Sequence, residues 1–179
     1  SGHGMAAGLV MAVAHAAFRT QLDVDPSPAS IVGSLNRILC RAGGKRSFFS
    51  CCYFLLERDG NWVATVAGHP QVIRVGTHGK VAERIGDGSY PLGIKPAMVW
   101  PELRGSLAPG EQLLFHSDGL TEARNADDCE FGDAYVDSIL ACNATPSAPG
   151  VVAALVNAWT AFAGGKAEDD VSIAVIARR

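Results

Sequence analysis

Among the 179 residues, cysteines in any metal- or disulfide-like spacing are missing. The five present (Cys40, Cys51, Cys52, Cys129 and Cys142) are odd in number and include no Cys-x-x-Cys pair. This excludes a disulfide framework and a thiolate zinc site, and it reads as free or buried thiols in a reducing compartment. Basic excess is also missing. A net charge of -3 with only 18% charged residues argues against a nucleic-acid backbone as the main partner. No signal peptide is visible, and the apolar stretch from Met5 to Phe18 is too short and too rich in alanine to span a bilayer. A cytoplasmic protein without membrane insertion is therefore expected. There is no internal repeat, low-complexity tract or linker, so the length predicts a single domain over residues 1–179.

What is present is a hydrophobic content of 48%, enough for a substantial core, organised around one stretch, Glu111 to Glu122. Pro109-Gly110 supplies a turn, Leu113 to Phe115 form a short apolar run, and Asp118-Gly119 ends it. Such a run reads as a strand buried on both faces. A carboxylate at its end, followed by a glycine that lets backbone approach closely, suits a hard metal ion. Near the C-terminus the order is reversed: Asp169-Asp170 precedes the β-branched run Val171 to Ile176, a second strand. If the two strands pair antiparallel, Asp118 meets Asp169 or Asp170 at one sheet edge. Taken singly, each acid is also ordinary turn chemistry.

The rest of the chain predicts helices over Met5–Thr20 and from Pro28 to about Arg41, the second entered through Ser27 as N-cap. The first is apolar almost all round, so it is either buried or packed against an upstream segment or a second copy. Arg37, Arg41, Lys45 and Arg46 read as cations compensating a helix C-terminus rather than as a docking patch for a phosphorylated partner. Phe48 to Leu56 is apolar on both sides, predicting a strand covered on both. A meander continues through Trp62–Ala67, Val72–Val75 and Val81–Ile85. Pro91 to Pro101 follows as loop, then a weak strand at Leu103–Leu107, then helices over Phe131–Cys142 and Ser147–Phe162. Helices, then antiparallel strands, then helices and a last strand predict an α+β fold.

Carboxylates without histidine or cysteine partners favour Mn²⁺ or Mg²⁺ over zinc. His116, on the central strand, is a candidate to orient Asp118. His3 is either a candidate general acid, because protonating a leaving oxygen needs a group titrating near neutrality, or a terminal histidine held by its glycine turn. His69 reads as pinning a turn, His15 and His78 as structural or exposed, and Asp127, Asp128 and Glu130 as solvated.

Seven segments occur in order: Ser1-Gly2-His3-Gly4-Met5-Ala6-Ala7, Ala67-Gly68-His69-Pro70, Pro91-Leu92-Gly93, Pro109-Gly110-Glu111, Ser117-Asp118-Gly119-Leu120-Thr121-Glu122, Phe131-Gly132 and Asp169-Asp170-Val171-Ser172. This series resembles the SpoIIE-type branch of the bacterial metal-dependent (PPM, protein phosphatase 2C-like) serine/threonine phosphatases, across nearly the whole chain. The resemblance implies a four-layer α/β/β/α sandwich of antiparallel sheets flanked by helices. It also implies two Mn²⁺ or Mg²⁺ ions and a metal-activated water that attacks phosphoserine or phosphothreonine. By resemblance Asp118 and Asp169 are metal ligands, with Asp170 the second choice to Asp169. Gly2, Gly4, Gly119 and His116 support the metal loops. The family places a further ligating Asp two positions ahead of Ser-Gly-His-Gly. Because the chain starts at Ser1, the resemblance implies a domain incomplete at its N-terminus, without its first strands.

The implied partners are a phosphorylated regulator such as an anti-anti-sigma (STAS-type) protein, an upstream sensor or receiver domain, and a second copy in a homodimer. The alternative is an inactive pseudophosphatase that binds such a regulator without hydrolysing it.

Overall fold

The computed structural model describes residues 5–42, 48–86, 88–142, 147–165 and 169–179. Two compact units share the chain, one made of residues 1–69 and 86–106, the other of 70–85 and 107–179. Each holds one antiparallel sheet with its own helices, so the α+β class expected from the element order is the one observed.

In the first unit, helices α1 (Met5–Val24) and α2 (Pro28–Ala42) pack on the sheet β1 (Cys51–Leu56), β2 (Asn61–Ala67) and β5 (Leu103–Ser106), ordered β1-β2-β5. Asp25 sets the break between the helices. Its carboxylate accepts from the Ser27 amide (2.9 Å) and from the Ser30 hydroxyl, and these bonds hold it below the usual carboxylate range. Ile31, Val32, Leu35 and Leu39 form the apolar stripe of α2, and they pack with Ala14 and Ala17 of α1, Ala67, Leu92 and Trp100. Val10, Phe18 and Leu22 of α1 are partly buried against the same cluster, whereas Met5, Leu9 and Met11 are exposed. Strand β1 is half-buried rather than covered on both faces, with Leu55 exposed. It forms one side of a sheet in which only β2 pairs on both sides, so it cannot reach the burial its composition suggests.

The second unit contains β3 (Val72–Val75), β4 (Val81–Ile85), β6 (Gln112–His116) and β7 (Ile173–Ala177), ordered β4-β3-β6-β7. Helices α4 (Gly132–Cys142) and α5 (Ala148–Ala163) supply Val136, Leu140, Val151 and Leu155 to the core against Ile73, Val75 and Leu114. As expected for a strand with little polar surface, four of the five β6 residues are buried.

The expected meander is therefore split. The β1-β2 and β3-β4 hairpins form, but β2 does not hand directly to β3 in one sheet. Between them lies Gly68, at φ +65°, where a Cβ would fall 2.6 Å from Pro91 backbone atoms. The Ala67-Gly68-His69-Pro70 and Pro91-Leu92-Gly93 segments thus meet at a position only glycine can occupy. Phe49 and Leu92 form an isolated antiparallel bridge beside it.

Candidate metal site at the β6–β7 edge

Strands β6 and β7 pair antiparallel with His116 opposite Ile173, so the end of one lies beside the start of the other. Directly after His116 the chain turns into a four-residue helix, α3 (Asp118–Thr121), which the sequence reading did not anticipate. Ser117 precedes this helix in extended conformation, and the Asp118 carboxylate accepts from the Gly119 amide at 3.0 Å. Across the edge the Asp169 carboxylate accepts from the Asp170 amide at 2.7 Å. Both acids therefore fold back on their own backbone, with their carboxylates at the solvent-exposed end of the sheet.

Two contacts bring the loops together. A Cβ on Gly119 would sit 2.6 Å from the Asp170 carbonyl oxygen and 3.5 Å from the Asp169 carbonyl carbon, so the approach depends on glycine. The Ser117 hydroxyl donates to the Asp170 carbonyl and accepts from the Ser172 amide, both at 2.9 Å. The Ser117 amide donates to the Ser172 carbonyl at 3.0 Å. Ser117 and Ser172 had been read only as parts of motifs. A serine between a strand and Asp-Gly, where hydroxyls bond neighbouring backbone, was the signal available in the sequence. His116 is 3% exposed, with Nδ1 3.1 Å from the Ser117 carbonyl oxygen, at the base of the same turn.

Beside this edge lies a cleft of about 170 Å³ lined by Gly119, Glu122, Ala123, Arg124, Glu130 and Asp169. Arg124 is held by Asp128 (3.0 Å) and by Glu130, and the two carboxylates raise its guanidinium above the ordinary value. Asp128 and Glu130 are thus tethered rather than simply solvated, while Asp127 is exposed as expected. Three carboxylates to one guanidinium make the cleft favour cations.

The donor set tests the fit to a hard divalent ion. Asp118, Asp169 and Asp170 offer oxygen only, as Mg²⁺ and Mn²⁺ prefer. Among the described residues no three His, Cys, Asp or Glu side chains converge. One or two carboxylates with the remaining positions left to water is the mode Mg²⁺ favours, so the fit holds on those terms. His3, Gly2 and Gly4 lie outside the described residues.

Two antiparallel sheets, each with its own helices, match the fold of PP2C-type phosphatase domains. The chain matches the PP2C domain of SiaA from Pseudomonas aeruginosa with a TM-score of 0.84 at 20% identity, covering 100% of this chain and 72% of that one. A structure of the phosphatase domain and a regulatory fragment of SpoIIE from Bacillus subtilis matches with a TM-score of 0.81 at 16% identity. There 98% of this chain and 51% of that one are covered. The RsbU and RsbW domains of a Mycobacterium tuberculosis protein match with a TM-score of 0.76 at 23% identity, covering 99% of this chain and 49% of that one. This chain therefore spans only about half the length of the latter two. Comparison with curated protein sequences finds no match. The family profile of stage II sporulation protein E (SpoIIE) matches residues 1–179, and the chain belongs to that family.

Proposed function

We propose that residues 1–179 form a single PPM-type phosphatase domain. It hydrolyses phosphoserine or phosphothreonine on a signalling regulator, such as an anti-anti-sigma (STAS-type) protein, in the cytoplasm. The observation that carries this reading is the contact of Gly119 with the Asp170 carbonyl, which puts two acid-bearing loops at one sheet edge. Asp118 and Asp169, with Asp170 as the less favoured choice, would hold Mn²⁺ or Mg²⁺. Two such ions, when bound, supply acidification of water and neutralisation of charge on a phosphoryl group. The chain's own residues do the positioning. Ser117 fixes the spacing of the loops, and Gly119 permits their approach. His116 packs beneath the turn, and the Asp118 and Asp169 carboxylates are each oriented by a backbone amide. His3 is the proposed general acid, and Gly2 and Gly4 are proposed to support the metal site.

An upstream sensor or receiver domain, or a second copy of the chain, would cover the exposed Met5, Leu9 and Met11 of α1. Two of the matched structures carry further domains or regulatory segments beside the phosphatase fold, which supports this arrangement. No helix among the described residues is long and apolar enough to cross a membrane.

The second reading is a pseudophosphatase that binds such a regulator without hydrolysing it. Hydrolysis of p-nitrophenyl phosphate with added Mn²⁺ by the full-length protein separates the two. Activity lost in Asp118→Asn supports the enzyme. A folded wild-type protein that captures phosphorylated regulator without turnover supports the binding module.

A further inference from the structure

Arg37 does not share the role of Arg41. Arg41 lies in the last turn of α2, where a cation compensates the helix end. Arg37 sits one turn earlier. Its guanidinium folds back toward Gly33, 3.5 Å from where a Cβ would be, and lines a cavity of about 300 Å³ within the first unit. Ala29 and Val32 of α2 form one wall of the cavity, Met98, Val99 and Trp100 form another, and Thr65 of β2 contributes a buried hydroxyl. Among the described residues no carboxylate pairs with Arg37.

The cavity is built, not incidental. Asn36, 1% exposed, accepts from the Gly93 amide at 2.9 Å and donates to the Lys95 carbonyl at 2.9 Å. One side chain of α2 thereby fixes the loop that forms the opposite wall. The Trp100 indole donates to the Tyr90 carbonyl at 2.7 Å, and Pro91, Pro96 and Pro101 stiffen the same loop. The loop nevertheless exposes apolar surface, with Val99 86%, Tyr90 57% and Ile94 46% accessible. Charge is one-sided here. Within α2 and residues 88–101 there are Arg37, Arg41 and Lys95 and no acid, and the adjoining Glu102 is paired with Arg104 at 2.7 Å, in a chain whose net charge is -3.

We propose that this cavity is a docking site for a polypeptide segment of a partner protein that inserts an apolar side chain beside a carboxylate. The apolar walls take the side chain, and the Arg37 guanidinium takes the carboxylate as a charge-assisted pair. Val99, which lines the cavity and is 86% exposed, carries the apolar wall out onto the surface, beyond what a cavity-sized small molecule would cover, which selects a chain over a free acid. The site uses no residue of the β6–β7 edge, so it stands or falls independently of the phosphatase reading.

The test titrates the full 179-residue chain with three probes, following the Trp100 indole resonance by NMR. The first is a capped hexapeptide with one leucine between two glutamates. The second is its glutamine counterpart, and the third is free hexanoate. Saturable shifts with the glutamate peptide are expected, weakened about tenfold in Arg37→Gln and about tenfold or more in Ala29→Trp, which fills the cavity. Both sites are exposed, so thermal unfolding should match the parent chain. Equal binding by the glutamine peptide or by folded Arg37→Gln overturns the carboxylate assignment. Hexanoate binding as tightly as the peptide overturns the polypeptide assignment, and no saturable shift with any probe overturns the site.

Discussion

Asn36 in the first unit and Ser117 in the second each tie two distant segments, and the two ties leave different surfaces behind. Asn36 lies within a long helix at 1% exposure and grips a loop some sixty residues away through backbone groups at both Gly93 and Lys95. Ser117 lies at the end of a strand and grips Asp170 and Ser172 through one hydroxyl. A tie sunk in a core can hold a loop off the helix and keep a cavity open behind it. A tie at a sheet edge brings two loop backbones into contact and leaves their carboxylates facing water, where a hydrated cation can reach them. Burial of the tie, not its chemistry, decides which surface results.

The comparison breaks most severely at the acids. Asp118→Asn should lower Mn²⁺-dependent hydrolysis at least about a hundredfold, since several kcal/mol of charge stabilisation goes with the ligand. Far-ultraviolet circular dichroism should stay unchanged, because the buried packing of β6 is not touched. Full activity in the folded variant would refute the metal assignment.

Gly119→Ala comes next. The added Cβ has no room against the Asp170 carbonyl, so the two loops must part. Urea unfolding should show a loss of about 1–3 kcal/mol, and Mn²⁺ titration a weaker site. Unaltered affinity would mean that the loops need not touch.

The two ties can then be ranked directly. Asn36→Ala leaves a gap where the buried side chain sat and takes the partner from the half-buried Gly93 amide, so it should cost about 1–3 kcal/mol, whereas Ser117→Ala, open to water, should cost about 1 kcal/mol. Only the serine variant should weaken Mn²⁺ binding. Equal costs by denaturant titration would erase the distinction between a buried and an edge tie.

The smallest effect concerns thiols. Burial pushes Cys51 up to about 11, and burial with the neighbouring Cys51 pushes Cys52 up to about 12. At pH 8 their thiolate fractions are roughly one in a thousand or less, so iodoacetamide should label the exposed Cys129 and Cys142 first. Labelling of all four at one rate, read by mass spectrometry, would show that burial in β1 does not protect Cys51 and Cys52.

Local pattern decided which segments are helix and strand, α3 excepted, because apolar periodicity and Gly/Pro punctuation are local. It placed α2 from Pro28, β3 and β4 at their observed limits, and β6 and β7 within two residues. That Asp118 and Asp169 or Asp170 share one edge followed from the sequence only on the condition that their strands pair antiparallel, and that pairing is a tertiary fact. The partition of the strands into two sheets did not follow, nor did the serine tie or the Arg37 cavity. All three depend on residues far apart in the chain: Gly68 against Pro91, Ser117 against Asp170 and Ser172, Asn36 against Gly93 and Lys95. Hydroxyls, amides and glycines carry no periodic signal, and their partners exist only once the backbone has brought them within hydrogen-bond reach.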